Sequence, residues 1–194
     1  TKKDPRIILK IQEKNQGAAL ARNIGMNLAT GEWIIFLDAD DIFDLCMIKE
    51  MIETAWKSQA DIVGCYWECF DEIPNKDAVI PNEMRKWYCK NYPIIETVKE
   101  LPHIMQITDK GPCTKLVSKS IYTKKDVYFQ NIPNANDVYY SISAILNSNR
   151  IAYIDKAFLH YRSDKGRKTL STDRMNKKNY ILEAYHQVYG YINS

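Results

Sequence analysis

The feature that most constrains this chain is an apolar run that ends in acids. Trp33-Ile34-Ile35-Phe36-Leu37 leads directly into Asp38-Ala39-Asp40-Asp41. A short apolar run without alternation suits a strand covered on both faces, as in an α/β sheet. Three carboxylates so close in sequence repel one another unless something positive sits among them. In open α/β sheets, ligands bind beyond the carboxyl ends of the strands. Two readings follow. Hard oxygen ligands of this kind suit Mg²⁺ or Mn²⁺ bridging to phosphate. Alternatively, the acids dress a helix N-terminus and favour its dipole.

The flanking sequence supports alternating strands and helices. Arg6 to Ile11 (RIILKI) is a β-branched run that predicts a buried strand. Asn15-Gln16-Gly17 breaks it and offers a helix cap. Leu20, Ile24 and Leu28, with small neighbours at Ala18, Ala21 and Gly25, predict a closely packed helix over 17–29 that Gly31 ends. Met47, Ile48, Met51, Ile52, Ala55 and Trp56 form a second helical stripe, and Asp61 to Tyr66 a third strand. This is the pattern of a doubly wound α/β sheet. Further on, the spacing predicts a strand near 77–81, a helix near 95–106 and a strand over 113–117, with Ser118 capping a short helix. A helix over 136–148, two strands over 150–155 and 158–162 split by a turn, and a helix from Ser171 to the end complete the reading. Residues 1–170 read as one domain and 171–194 as a C-terminal helix.

Composition excludes other classes. Lys and Arg total 27 against 24 Asp and Glu, a net charge of +3 that is too mild to require nucleic acid. No apolar run approaches the roughly 20 residues of a membrane helix. No basic-then-apolar leader opens this sequence, and with five scattered cysteines a reduced, cytoplasmic setting is the expectation.

Several segments together resemble glycosyltransferase family 2. These are Asn15-Gln16-Gly17, Ala21-Arg22-Asn23-Ile24-Gly25 and the run from Gly31 through Asp41. Ala60-Asp61-Ile62-Val63, Lys115-Leu116, Asn136-Asp137-Val138-Tyr139-Tyr140 and Ala152-Tyr153-Ile154-Asp155 through Tyr161-Arg162 continue the likeness, over about residues 4–165. The resemblance implies an α/β, GT-A-type fold: a Rossmann-like, mixed and mainly parallel sheet flanked by helices, here without the family's first strands. It implies sugar transfer, with inversion, from a nucleoside-diphosphate-sugar donor to a saccharide acceptor in cell-surface polysaccharide synthesis, at the inner face of the membrane or free in the cytoplasm. By this analogy Asp38 faces the ribose or base, and Asp40 binds Mn²⁺ or Mg²⁺ at the donor diphosphate. Arg22 positions Asp38 or the nucleotide, and Asp137 is the base that takes the acceptor's proton. The sequence departs from the family at Asn136, where a Glu is usual.

Other residues keep two readings each. Asn136-Asp137 also caps a helix well. Arg22 also suits an ordinary ion pair. Lys156 to Lys178 holds eight Lys and Arg against Asp164 and Asp173. From it, Arg162 and Arg167 are candidates for phosphate oxygens, while a solvated face touching anionic lipid is the plainer alternative. His160 is either a ligand at the metal or diphosphate, or structural. Cys65 and Cys69 lack a second pair and do not make a zinc site. Trp67, Trp87 and Tyr88 either stack on an acceptor sugar or pack in the core. The competing functions are a non-catalytic GT-A-like domain that binds a sugar nucleotide or a partner, and a phosphatase or nucleotidyltransferase built on the acidic cluster.

Overall fold

Neighbouring residues along the central strands enter opposite cores, which is how the sheet comes to be covered on both faces. The computed structural model describes residues 4–70, 87, 90–95, 111–162 and 180–193. The expected strand at 77–81, most of the helix at 95–106 and the basic residues 163–178 lie outside the described residues. Strands β1 (Trp33–Ile34), β2 (Ile42–Phe43), β3 (Ile62–Phe70), β4 (Ile94–Ile95), β5 (Lys115–Ser118) and β6 (Ile151–Arg162) form one sheet in the order β1-β5-β3-β6-β2. β4 also pairs with β6, at the end opposite β2.

Helices α1 (Ala18–Leu28) and α4 (Asn136–Leu146) cover one face with Ile62, Val117 and Ile151; α2 (Met47–Ser58) covers the other with Val63, Leu116 and Ala152. A short helix α3 (Lys119–Tyr122) follows β5, and α5 (Tyr180–Ile192) packs Ala184 and Val188 against Val138 and Ile142 of α4. No helix among the described residues is long and apolar enough to cross a membrane.

The sheet is mixed, as expected, and its longest ladder, the eight registered pairs between β3 and β6, is parallel. Among the described strands only β3 and β6 run parallel, and the other pairings are antiparallel. The two strands expected at 150–155 and 158–162 are a single strand. Gly64 lies opposite Tyr153 and Tyr66 opposite Ala157, so β6 bulges where a turn was expected. Gly64 is required there: a Cβ at this position would come within 2.7 Å of Tyr153 Cδ1. The bulge lets β6 continue to the acidic turn.

Three local expectations fail for physical reasons. Residues 6–11 have no ladder partner among the described residues, and Ile7, Ile8, Leu9 and Ile11 are exposed. The inward face of α1 is Ala19, Arg22, Asn23 and Met26, with Leu20 and Ile24 half-buried beside it; Leu28, Ala21 and Gly25 are exposed. Polar residues occupy that face because each has an inward partner, described below. The helix also ends before Gly31, at Leu28, with Ala29 extended. In α2 the buried stripe is Met47, Met51 and Ala55, while Ile48 and Trp56 are exposed.

Candidate functional site

The chain leaves the short β1 ladder, passes Phe36 and turns at Asp38, where the amide of Asp41 donates to the Asp38 carbonyl at 3.3 Å. Arg22 reaches this turn from α1. Its Nη2 donates to Asp38 Oδ1 at 2.8 Å and its Nη1 to Asn136 Oδ1 at 3.2 Å. The Arg22 side chain is 17% exposed and lies over the Phe129 ring, 5.4 Å from its centroid. One guanidinium thus joins the acidic turn to the first residue of α4, and Asp137 follows in the first turn of that helix. Ala135, just before it, holds a left-handed φ of 58°, a conformation disfavoured for a residue with a Cβ.

The floor beneath Arg22 is aromatic. Phe129 stacks on Tyr140 at 4.1 Å, and Phe36 meets both rings edge-on. Asn23 clamps this floor through both ends of its amide. Its Nδ2 donates to the Phe129 carbonyl and its Oδ1 accepts from the Phe129 amide, each at 2.8 Å.

The far side of the turn is held by β6. The Arg162 amide donates to Asp41 Oδ1 at 3.1 Å, and Arg162 Nε donates to the Asp40 carbonyl at 3.0 Å. Arg162 thus contacts two residues of the acidic turn, Asp40 and Asp41. His160 lies between two carboxylates, with Nε2 3.1 Å from Asp44 Oδ1 and Nδ1 3.0 Å from Glu68 Oε1. Both ring nitrogens are engaged there, which leaves neither to ligate a cation at Asp40.

Among the described residues, one group brings three metal-ligating side chains together: Asp38, Asp41 and Cys113, with ligand atoms within 4.8 Å of one another. Burial, then the Asp38 charge, pushes the Cys113 thiol up to about 12. It is a protonated thiol at neutral pH, so the carboxylates are the ligands available to a hard cation. Burial raises the Asp41 carboxyl above its usual range; the Arg162 amide opposes this, and Asp40 and Asp38 add to it. A divalent cation would relieve that repulsion, so the donor set fits Mg²⁺ or Mn²⁺. Asp40 itself is exposed and stands outside the convergent trio.

The sequence reading missed Cys113 and Asn23, because neither a lone thiol nor an amide on a helix signals its partner. Trp67 packs against Tyr161 at 5.7 Å, and Trp87 is exposed beside Tyr92. Tyr88 lies outside the described residues.

The profile of glycosyl transferase family 2 matches residues 1–124. The chain is similar to EpsJ, an uncharacterized glycosyltransferase of Bacillus subtilis, at 24% identity over 197 residues, 97% of this chain and 56% of EpsJ. It is similar to glycosyltransferase GlyA of Streptococcus pneumoniae at 25% identity, over 82% of this chain and 23% of GlyA. Its fold matches S. aureus TarS 1–349, solved in complex with UDP-GlcNAc, with a TM-score of 0.64 at 22% identity. That match covers 83% of this chain and 43% of the TarS chain, and it identifies the architecture as GT-A. The chain spans 56% of EpsJ and a smaller share of the other two.

Proposed function

The chain belongs to glycosyl transferase family 2, and we propose that it transfers a sugar from a nucleoside-diphosphate-sugar donor to a saccharide or related acceptor, with inversion, in the synthesis of cell-surface polysaccharide. The observation that carries this reading is the Arg22 bridge between Asp38 and Asn136. It ties a turn suited to a cation and a diphosphate to the helix whose first turn carries Asp137. Relatives named as glycosyltransferases, and a structural relative solved with UDP-GlcNAc, support a nucleotide-sugar donor.

Each residue takes a role from its surroundings. Asp38, held by Arg22, faces the nucleotide. Asp40, with Asp38 and Asp41, would hold Mn²⁺ or Mg²⁺. Such a cation neutralises charge on a leaving diphosphate. Arg162 steadies the turn and lies where a phosphate oxygen would approach. Inversion by single displacement needs a base on the face opposite the leaving group, and Asp137 is that base: it accepts the acceptor hydroxyl's proton as the oxygen attacks the anomeric carbon. His160 is assigned to the protein framework rather than to the cation, because both its nitrogens face carboxylates.

The test is a donor screen followed by one substitution. UDP-, GDP-, CDP- and dTDP-sugars are offered with Mn²⁺, and release of the nucleoside diphosphate is measured in the presence of saccharide acceptors. Asp137→Asn should bind the nucleotide as the wild type does and lose turnover by on the order of 10³-fold. An Asp137→Asn protein that turns over like the wild type contradicts the assignment of the base. Nucleotide binding without turnover in either protein favours the non-catalytic binding domain, a reading that the amide at Asn136 supports.

A further inference from the structure

After the acidic turn the chain runs along the edge of β6 and is gripped at successive steps. Ile42 and Phe43 register against His160 and Leu159. The Asp44 amide donates to the Phe158 carbonyl at 2.9 Å. β2 is only two residues long and stands at the end of the sheet order, so its backbone ladder alone is a weak hold.

Side chains supply the rest. His160 is the middle of a row across three strands, opposite Ile42 on β2 and Glu68 on β3. Its ring is one-quarter exposed; Nδ1 meets Glu68 at 3.0 Å and Nε2 meets Asp44 at 3.1 Å. Glu68 lies on a central strand of the sheet order and Asp44 on the segment that leaves the acidic turn. The histidine therefore links a central strand to the segment that leaves the acidic turn.

We infer that Glu68, His160 and Asp44 form a positioning relay that sets where the acidic turn stands, and so how well it holds a divalent cation and a nucleoside diphosphate, without touching either. The inference rests on the reading of that turn as a donor site. It makes His160 a positioning residue acting through Asp44. Carboxylates that orient a histidine commonly matter to a neighbouring ligand site as much as groups in direct contact do. All three side chains are partly exposed, so the same hydrogen bonds add little to global stability.

The two histidine nitrogens can be separated. A Gln side chain carries its amide nitrogen close to where Nε2 lies, and an Asn carries its own close to Nδ1. His160→Gln leaves an amide nitrogen in reach of Asp44, whereas His160→Asn leaves one in reach of Glu68 alone. The experiment is a titration of the full chain with Mn²⁺ in the presence of UDP, reading free Mn²⁺ by electron paramagnetic resonance, with melting temperatures measured in parallel.

His160→Gln should bind Mn²⁺ within about twofold of the wild type. His160→Asn and Asp44→Asn should each weaken binding by about tenfold, and the double variant should be no weaker than either alone. Melting temperatures should stay within about 2 °C. If both His160 variants lose Mn²⁺ while Asp44→Asn keeps it, His160 is a direct ligand and the relay is wrong. Additive losses in the double variant also overturn it. A wild-type chain that binds no Mn²⁺ with any nucleoside diphosphate overturns the donor-site reading and the relay together.

Discussion

The acidic turn has two anchors of different kinds. On the α1 side Asp38 meets Arg22, which is mostly buried over Phe129 and backed by the stacked Tyr140. On the β6 side Asp41 and Asp44 meet Arg162 and His160 through groups that remain in contact with solvent. The first anchor is part of a core: Phe129 and Tyr140 are at most 1% exposed. The second is a set of exposed hydrogen bonds along a two-stranded edge. Burial makes the first anchor a matter of folding. Water screens the second, so its effect falls on position and ligand affinity.

The largest expected effect lies in the aromatic floor. Phe129→Ala or Tyr140→Ala should cost about 3–5 kcal/mol in urea unfolding. The Tyr140 hydroxyl is buried with no hydrogen-bond partner among the described residues, so Tyr140→Phe should be neutral or stabilising. A large loss on Tyr140→Phe would mean that the hydroxyl has a hidden partner and that this anchor is more polar than the packing indicates.

Next is the amide clamp. Asn23→Ala removes both bonds to Phe129 and should cost about 2 kcal/mol. It should also lower nucleotide affinity, because the floor under Arg22 loosens. Asn23→Asp keeps the acceptor but loses the donor to the carbonyl, and should fall between the two proteins. Equal stability of all three would remove the distinction between a packed anchor and an exposed one.

A smaller effect, of opposite sign, is expected at Asp41. Its folded-state pKa is raised above the ordinary 3.8, chiefly by burial. In the window between the unfolded and folded values the folded protein binds more protons, so stability falls as pH rises through it. Asp41→Asn should therefore melt higher than the wild type at neutral pH without divalent cation, and should lose that advantage toward pH 4. The substitution keeps an oxygen for the Arg162 amide. A lower melting point for Asp41→Asn at pH 7 would show that the carboxylate is a favourable part of the fold. The smallest effect belongs to Glu53, 4.0 Å from both Lys49 and Lys57 on exposed α2. Glu53→Ala should change unfolding by less than about 0.5 kcal/mol.

The parts of the fold that were legible in sequence are those where periodicity and burial agree. The α2 helix with Met47, Met51 and Ala55 inward, the Ile62–Val63 strand and the helix beginning at Asn136 all emerged where the apolar pattern placed them. The pattern misled where polar residues turn inward. On α1, apolar Leu28 is exposed while Arg22 and Asn23 face the core, because their partners at Asp38, Asn136 and Phe129 are distant in sequence. The β6 bulge was invisible for a similar reason: nothing in residues 154–157 distinguishes a bulge opposite Tyr66 from a turn. In the site, the acidic turn and the Asn136-Asp137 pair were legible as short motifs. That one arginine joins them was not, and neither was the capture of His160 by Glu68 and Asp44.

The central claim is that the turn from Asp38 to Asp41 is a site for a cation and a nucleoside diphosphate. Thermal unfolding with UDP, GDP, CDP or dTDP, each with and without Mn²⁺, tests it most directly in the wild type and in Asp40→Ala. One nucleotide should stabilise the wild type only with Mn²⁺, by roughly 2.7 kcal/mol at 100 times its Kd. Asp40→Ala should abolish the shift. A shift that persists in Asp40→Ala, or no shift with any nucleotide, contradicts the claim.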